Sequence, residues 1–142
     1  MSTLRVEIVT PEAALWVGEA TALIARSSEG FFTIMPQHTA TVGDIVSSVV
    51  RVQTAEGEVA FAVHGGYFQV GTGDDGSTRA TVLAGIAEKI SDIDVARAQA
   101  AKEAAEAQIA AETKGDAHDS SSHLVAHAAL ERAELRLRAA AK

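Results

Sequence analysis

The sequence predicts an all-β N-terminal domain, an antiparallel β-sandwich of about ten strands, followed by an antiparallel two-helix hairpin. Three observations carry that prediction. Ten of the eleven glycines, both prolines and all six aromatic residues lie before Ala87. Within that half, short apolar runs are separated by turn signals about every eight to twelve residues, and no helix-period segment interrupts them to build a parallel α/β sheet. Beyond it the chain is rich in alanine and charge, with no glycine until Gly115. The reading therefore places a sandwich domain at residues 1–88 and a helical domain at 89–142.

Leu4, Val6 and Ile8 alternate with Arg5, Glu7 and Val9, the period-2 pattern of a half-buried strand, which Thr10-Pro11 ends. Leu15 to Ala20 and Ala22 to Arg26 read as two further strands, with Trp16 as a large anchor. Ser27-Ser28-Glu29-Gly30 is a turn, and Phe31 to Met35 is an apolar run that Pro36 stops. Ile45 to Gln53 reads as one longer strand whose partner, Val59 to Val63, returns after Ala55-Glu56-Gly57-Glu58. Tyr67 to Val70 and Thr78 to Ala84 complete the set. Gly65-Gly66 has neither a GxGxxG spacing nor a following helix, so a bulge or a close strand crossing explains it better than a phosphate cradle.

From Asp92 to Thr113 helix formers dominate, with Ser91 or Asp92 as the expected cap and Asp94 as a negative charge in the first turn. Ile93, Ala96, Ala100, Ala104, Ala107 and Ala111 recur at steps of three and four and define the expected buried face. Lys114 to Ser122 reads as a polar linker, with Gly115 as the stop and Ser121 or Ser122 as the next cap. His123 to Ala141 is then the second helix, offering Ala126, Leu130, Ala133, Leu137 and Ala140 to the first. Alanine buries little area, so such an interface is shallow and its two helices should be able to part.

Composition excludes several functions. The net charge is −7, of which residues 1–88 contribute −6, so no nucleic-acid partner is expected. There is no cysteine to form a disulfide or thiolate site. No stretch has the apolar length of a membrane span, so direct membrane insertion is not expected, and the reading is of a soluble, cytosolic protein. His38 and His64 tempt a catalytic or metal reading. A metal needs three or four convergent ligands, however, and neither histidine sits in a spacing that supplies a second one. Asp94, Arg97, Arg132 and Arg136 can gather at the open end of the hairpin, about 24 Å from its bend, one carboxylate among guanidiniums suited to a polyphosphate. Solvated helix-face charge is the competing account, and spacing alone favours it.

These residues also make a pattern. Glu29-Gly30 with Ile34-Met35-Pro36-Gln37-His38, Ala62-Val63-His64-Gly65-Gly66-Tyr67, Val82-Leu83-Ala84, Ile93-Asp94-Val95-Ala96-Arg97-Ala98 and Leu130-Glu131-Arg132-Ala133 occur in an order and at separations that resemble the epsilon subunit of bacterial F-type ATP synthase. The likeness extends from Leu4 through the helical end. It implies a non-catalytic rotor subunit whose sandwich docks on the gamma subunit and the c-subunit ring, with a docking loop carrying Glu29, Gly30, Pro36 and His38. It implies a helical hairpin that extends toward the catalytic beta subunits and inhibits ATP hydrolysis. In members that bind ATP, a regulatory nucleotide holds the hairpin compact; their motif falls on Ile93, Asp94, Arg97 and Ala98, with Arg132, Arg136 and Glu88 as further positions. No cofactor is otherwise required. The implied location is peripheral, on the cytoplasmic face of the bacterial plasma membrane. Departures are Ala104, where such members carry another arginine, and Thr33 and Ala40 in place of the usual glycine and proline. A free-standing ATP sensor is the alternative from another class, and a small hydrolase built on His38 or His64 is a third.

Overall fold

The computed structural model describes residues 3–114 and 120–141, the side chains of 112–114 and 120–123 excepted. Ten strands precede two helices: β1 (Leu4–Val9), β2 (Ala14–Ala20), β3 (Ala22–Ser27), β4 (Gly30–Ile34), β5 (Thr41–Ile45), β6 (Ser48–Thr54), β7 (Gly57–Val63), β8 (Gly66–Thr72), β9 (Thr78–Ala84), β10 (Ala87–Lys89), α1 (Val95–Lys114) and α2 (Ser120–Ala140). The chain divides into compact units at Ile90/Ser91, with Lys89 still paired to Phe61 inside the first.

The first unit is a sandwich of two five-stranded sheets, ordered β2-β1-β9-β8-β5 and β10-β7-β6-β3-β4. Leu4, Val6 and Ile8 point inward as their alternation requires, and they meet Leu23, Val50, Val52, Phe61, Val63, Phe68 and Val82 in one core. Each such side chain contributes about 1.5–3 kcal/mol by leaving water. Trp16 packs against this core from its margin. One ladder differs from the expected all-antiparallel pairing: β1 and β9 run parallel, Leu4 beside Thr78 and Val9 beside Leu83. In chain order these are the first and last strands of that sheet. No hairpin joins them, so nothing in the local chain forces them to oppose.

The expected long strand from Ile45 to Gln53 is two strands in different sheets. Ile45 ends β5 in the first sheet and Ser48 begins β6 in the second, with a corner between them. There Ser48 Oγ donates to the Val46 carbonyl at 2.7 Å, and the Val46 N–H donates to the Arg26 carbonyl at 3.0 Å. Strands that change sheets do so at such corners, and apolar alternation continues through them unbroken. Gly66 is the close approach expected of it: it lies between Ile45 and Ala84, and a Cβ there would run into the Leu83 carbonyl.

In the second unit the two helices pack on each other. With only residues 115–119 between them, they are antiparallel. Ile90–Asp92 is a 3₁₀ turn, so neither Ser91 nor Asp92 caps α1. Asp94 does. Its Oδ1 accepts the Arg97 N–H at 3.0 Å, while its backbone carbonyl takes the Ala98 N–H at 3.0 Å. The stop expected at Gly115 lies outside the described residues. Ser121 and Ser122 fall inside α2 rather than ahead of it, which shortens the expected linker.

The phase of α1 also differs from the expected one. Ala98 and Ala105 are buried, with Lys102 and Ile109 half-buried, whereas Ala96, Ala100, Ala104, Ala107 and Ala111 face solvent. When alanine occupies every face, periodicity has no preferred phase, and the bulk of Ile109 and the opposing helix set it instead. On α2 the expected Ala126 and Ala133 are buried and Leu130, Leu137 and Ala140 half-buried; Leu135 and Ala139 are buried in addition.

Candidate functional site

The Ile93–Ala98 motif resolves into a helix start. Ile93 is half-buried ahead of it, Asp94 is the cap, Arg97 supplies the capped amide, and Ala98 is the small residue in the helical seam. The Arg97 guanidinium itself is exposed. Arg97 lies 17 residues before the end of α1 and Arg136 lies 16 after the start of α2, from the ranges Val95–Lys114 and Ser120–Ala140. At about 1.5 Å per residue these are nearly level, roughly 25 Å from the connection. Arg132 sits one turn nearer the connection on the same flank, and Arg132 and Arg136 are both half-buried, whereas Arg138 is exposed. Asp94, Arg97 and Arg136 therefore lie at nearly the same level along the helical pair, toward its open end.

Glu88 belongs to the sandwich unit. It stands on β10, and its Oε1 is 3.5 Å from Nε2 of His64, a side chain only 2% exposed. The backbone repeats the link, because the His64 N–H donates to the Ile86 carbonyl at 3.0 Å. No local pattern announces this pair, since the two residues are 24 apart in the chain.

The expected docking loop is not one loop. Glu29-Gly30 forms the β3–β4 turn, where Gly30 has φ of 128°. Pro36 and His38 belong to a turn at the other end of β4, about 13 Å from Gly30 to Ile34 at strand rise. In that second turn Pro36 precedes Gln37 at φ 72°, and the His38 N–H donates to the Met35 carbonyl at 3.1 Å, the type II geometry that proline at its second position favours. The Gln37 N–H is held by Thr78 Oγ1 at 2.7 Å, and His38 Nδ1 lies 2.7 Å from the Thr39 carbonyl. The strand between them is the apolar run from Phe31 that Pro36 stops, so the single loop implied by the resemblance is two turns joined by β4.

Residues that the sequence reading passed over frame these turns. Phe31 is 74% and Met35 57% exposed, and the Arg26 guanidinium lies 5.4 Å from the Phe31 ring centroid. Asp44 on β5 accepts two hydrogen bonds from Ser28. On the outer face of the first sheet Tyr67, Leu83 and Val9 are neighbours in register, with Val42 close by, and Tyr67 is 63% and Val42 72% exposed. Exposed apolar side chains at alternate strand positions were the available signal.

A two-sheet sandwich followed by a pair of long helices packed on each other is the architecture that carries these residues. Residues 3–90 match the family model described as ATP synthase, Delta/Epsilon chain, beta-sandwich domain, and residues 91–141 match the one described as ATP synthase, Delta/Epsilon chain, long alpha-helix domain. The chain is 44% identical over 140 residues to the ATP synthase epsilon chain of Thermobifida fusca, covering 96% of this chain and 91% of that one. It is 43% identical over 110 residues to that of Brevibacillus brevis, covering 77% and 80%. Among solved structures, a chain of the Euglena gracilis mitochondrial ATP synthase (OSCP/F1/c-ring) superposes with a TM-score of 0.76 at 19% identity, over 100% of this chain and 83% of that one. A chain of the Tetrahymena thermophila mitochondrial ATP synthase central stalk and c-ring gives 0.53 at 11%, over 96% of each. The chain belongs to the ATP synthase epsilon chain family.

Proposed function

We propose that the sandwich couples the gamma subunit to the c-subunit ring and that the helical pair restrains ATP hydrolysis by extending toward the catalytic beta subunits. The observation that carries the regulatory part is the alanine seam. Of the buried residues described in the two helices, Ala98, Ala105, Ala126, Ala133 and Ala139 are alanines and Leu135 is the one large side chain, so separating the helices exposes less apolar area than parting leucine faces would. Docking is supported by the apolar outer face around Tyr67, Leu83 and Val42, an area of the kind that marks protein partners, and by the two turns at the ends of β4. Regulatory ATP fits the open end of the helical pair, its phosphates taken by Arg97, Arg132 and Arg136, with Asp94 holding the first turn in place. Glu88 remains a proposed contributor, though it is engaged with His64. Among the described residues no helix is long and apolar enough to cross a membrane, and the bacterial relatives support a peripheral place on the cytoplasmic face of the plasma membrane.

The test is truncation at residue 90 in the assembled enzyme. Assembly and coupling should persist while ATP hydrolysis rises. Loss of assembly with hydrolysis unchanged would overturn this division of labour. The free-standing ATP sensor fails if the isolated chain shows no compaction at millimolar ATP.

A further inference from the structure

The β3–β4 turn is held from the other sheet. Ser28, at its tip, donates its backbone N–H to Asp44 Oδ2 at 3.0 Å and its hydroxyl to Asp44 Oδ1 at 3.1 Å, so both carboxylate oxygens are used on one residue. Asp44 stands on β5, the edge strand of the first sheet, whereas the turn joins β3 to β4, the edge strand of the second. A backbone bond from the Val46 N–H to the Arg26 carbonyl at 3.0 Å lies beside it. The turn does not need Asp44 to close. Ser27 Oγ already donates to the Gly30 carbonyl at 3.2 Å and accepts the Glu29 N–H at 3.1 Å, and Ser27 pairs with Gly30 in the ladder. What the carboxylate adds is orientation: a turn that could swing on its two strands is pinned at its outermost amide. Glu29 and Phe31, the exposed residues that follow Ser28, are thereby aimed in one direction.

We propose that Asp44 is a positioning residue for partner docking, presetting the β3–β4 turn so that Glu29 and Phe31 meet the rotor without an ordering cost on association. This inference rests on the docking reading above. The core does not depend on the clamp, because its bonds are exposed and lie outside the buried cluster. Asp44 therefore acts on affinity more than on stability.

The experiment uses the full chain and ATP synthase complex stripped of this subunit as the probe. Asp44→Ala should weaken rebinding roughly ten-fold, the scale of losing hydrogen bonds to a charged acceptor, and should abolish hydrogen-exchange protection of the Ser28 amide while the melting temperature stays within about 2 °C. Asp44→Asn can accept the Ser28 N–H and donate to its hydroxyl, so it should restore most of the affinity. Phe31→Ala and Glu29→Ala report on docking itself. If both rebind like the parent, the turn is not at the interface and the docking reading fails. If they weaken rebinding and Asp44→Ala does not, the turn docks but Asp44 does not position it. A fall in melting temperature that parallels the lost affinity, without rescue by asparagine, would reduce Asp44 to a general stabiliser and overturn the inference.

Discussion

Replacing Asp94 by alanine tests whether the helical motif works first as a cap. The side chain accepts the Arg97 N–H at 3.0 Å and lies immediately before Val95, the first residue of α1. Loss of an N-cap acceptor costs about 1 kcal/mol, up to about 2, and loss of the negative charge at the helix start adds about 0.3–1 kcal/mol at low salt. A combined 1.5–2 kcal/mol multiplies local opening of the first turn roughly ten- to thirty-fold. Because the chain holds two units, a single global unfolding transition is a poor measure. Amide exchange at Arg97 reads the turn directly. Asp94→Asn keeps an acceptor and loses the charge, so its effect should stay below about 1 kcal/mol. The pair also separates two duties toward ATP. An affinity that follows the cap survives in Asp94→Asn, and one that follows the charge is lost. Unchanged Arg97 protection in Asp94→Ala would refute the capping account.

Other outcomes follow from named contacts. Gly66→Ala drives a methyl into the Leu83 carbonyl between two strands, so the sandwich should lose at least about 2 kcal/mol in denaturant titration; a neutral result would mean β8 can shift. Arg97→Ala should weaken ATP-induced compaction of the helical pair, followed by scattering, without lowering helicity, since the guanidinium is exposed. Ala104 is also exposed, and Ala104→Arg should raise ATP affinity up to about ten-fold by adding a phosphate donor; equal affinity would place the nucleotide elsewhere. Hydrogen bonds from the Ser77 hydroxyl and N–H lower the Asp75 pKa below its ordinary value. The stabilisation is present above the unfolded carboxylate pKa and disappears as pH falls through the depressed folded one. In an NMR titration Ser77→Ala should move Asp75 back upward, and an unmoved curve would deny the cause.

The sequence by itself determined the elements that obey a period or a punctuation rule. Leu4, Val6 and Ile8 alternate, Pro36 stops a strand, and Gly66 marks a close approach because only a residue without a side chain fits there. It also located the helical motif, since a carboxylate three residues before a guanidinium-bearing helical position is a local arrangement. The tertiary structure decided matters that depend on distant partners. The parallel pairing of β1 with β9 joins strands far apart in the chain, with no turn between them to dictate their direction. The break between Ile45 and Ser48 is invisible in the alternation, as a strand can change sheets without changing its pattern. The seam of α1 at Ala98 and Ala105 was undetermined because a helix with alanine on every side has no preferred face until another helix supplies one. The bonds from Ser28 to Asp44 and from His64 to Glu88 likewise join residues 16 and 24 apart, and only folding gives such distances a meaning.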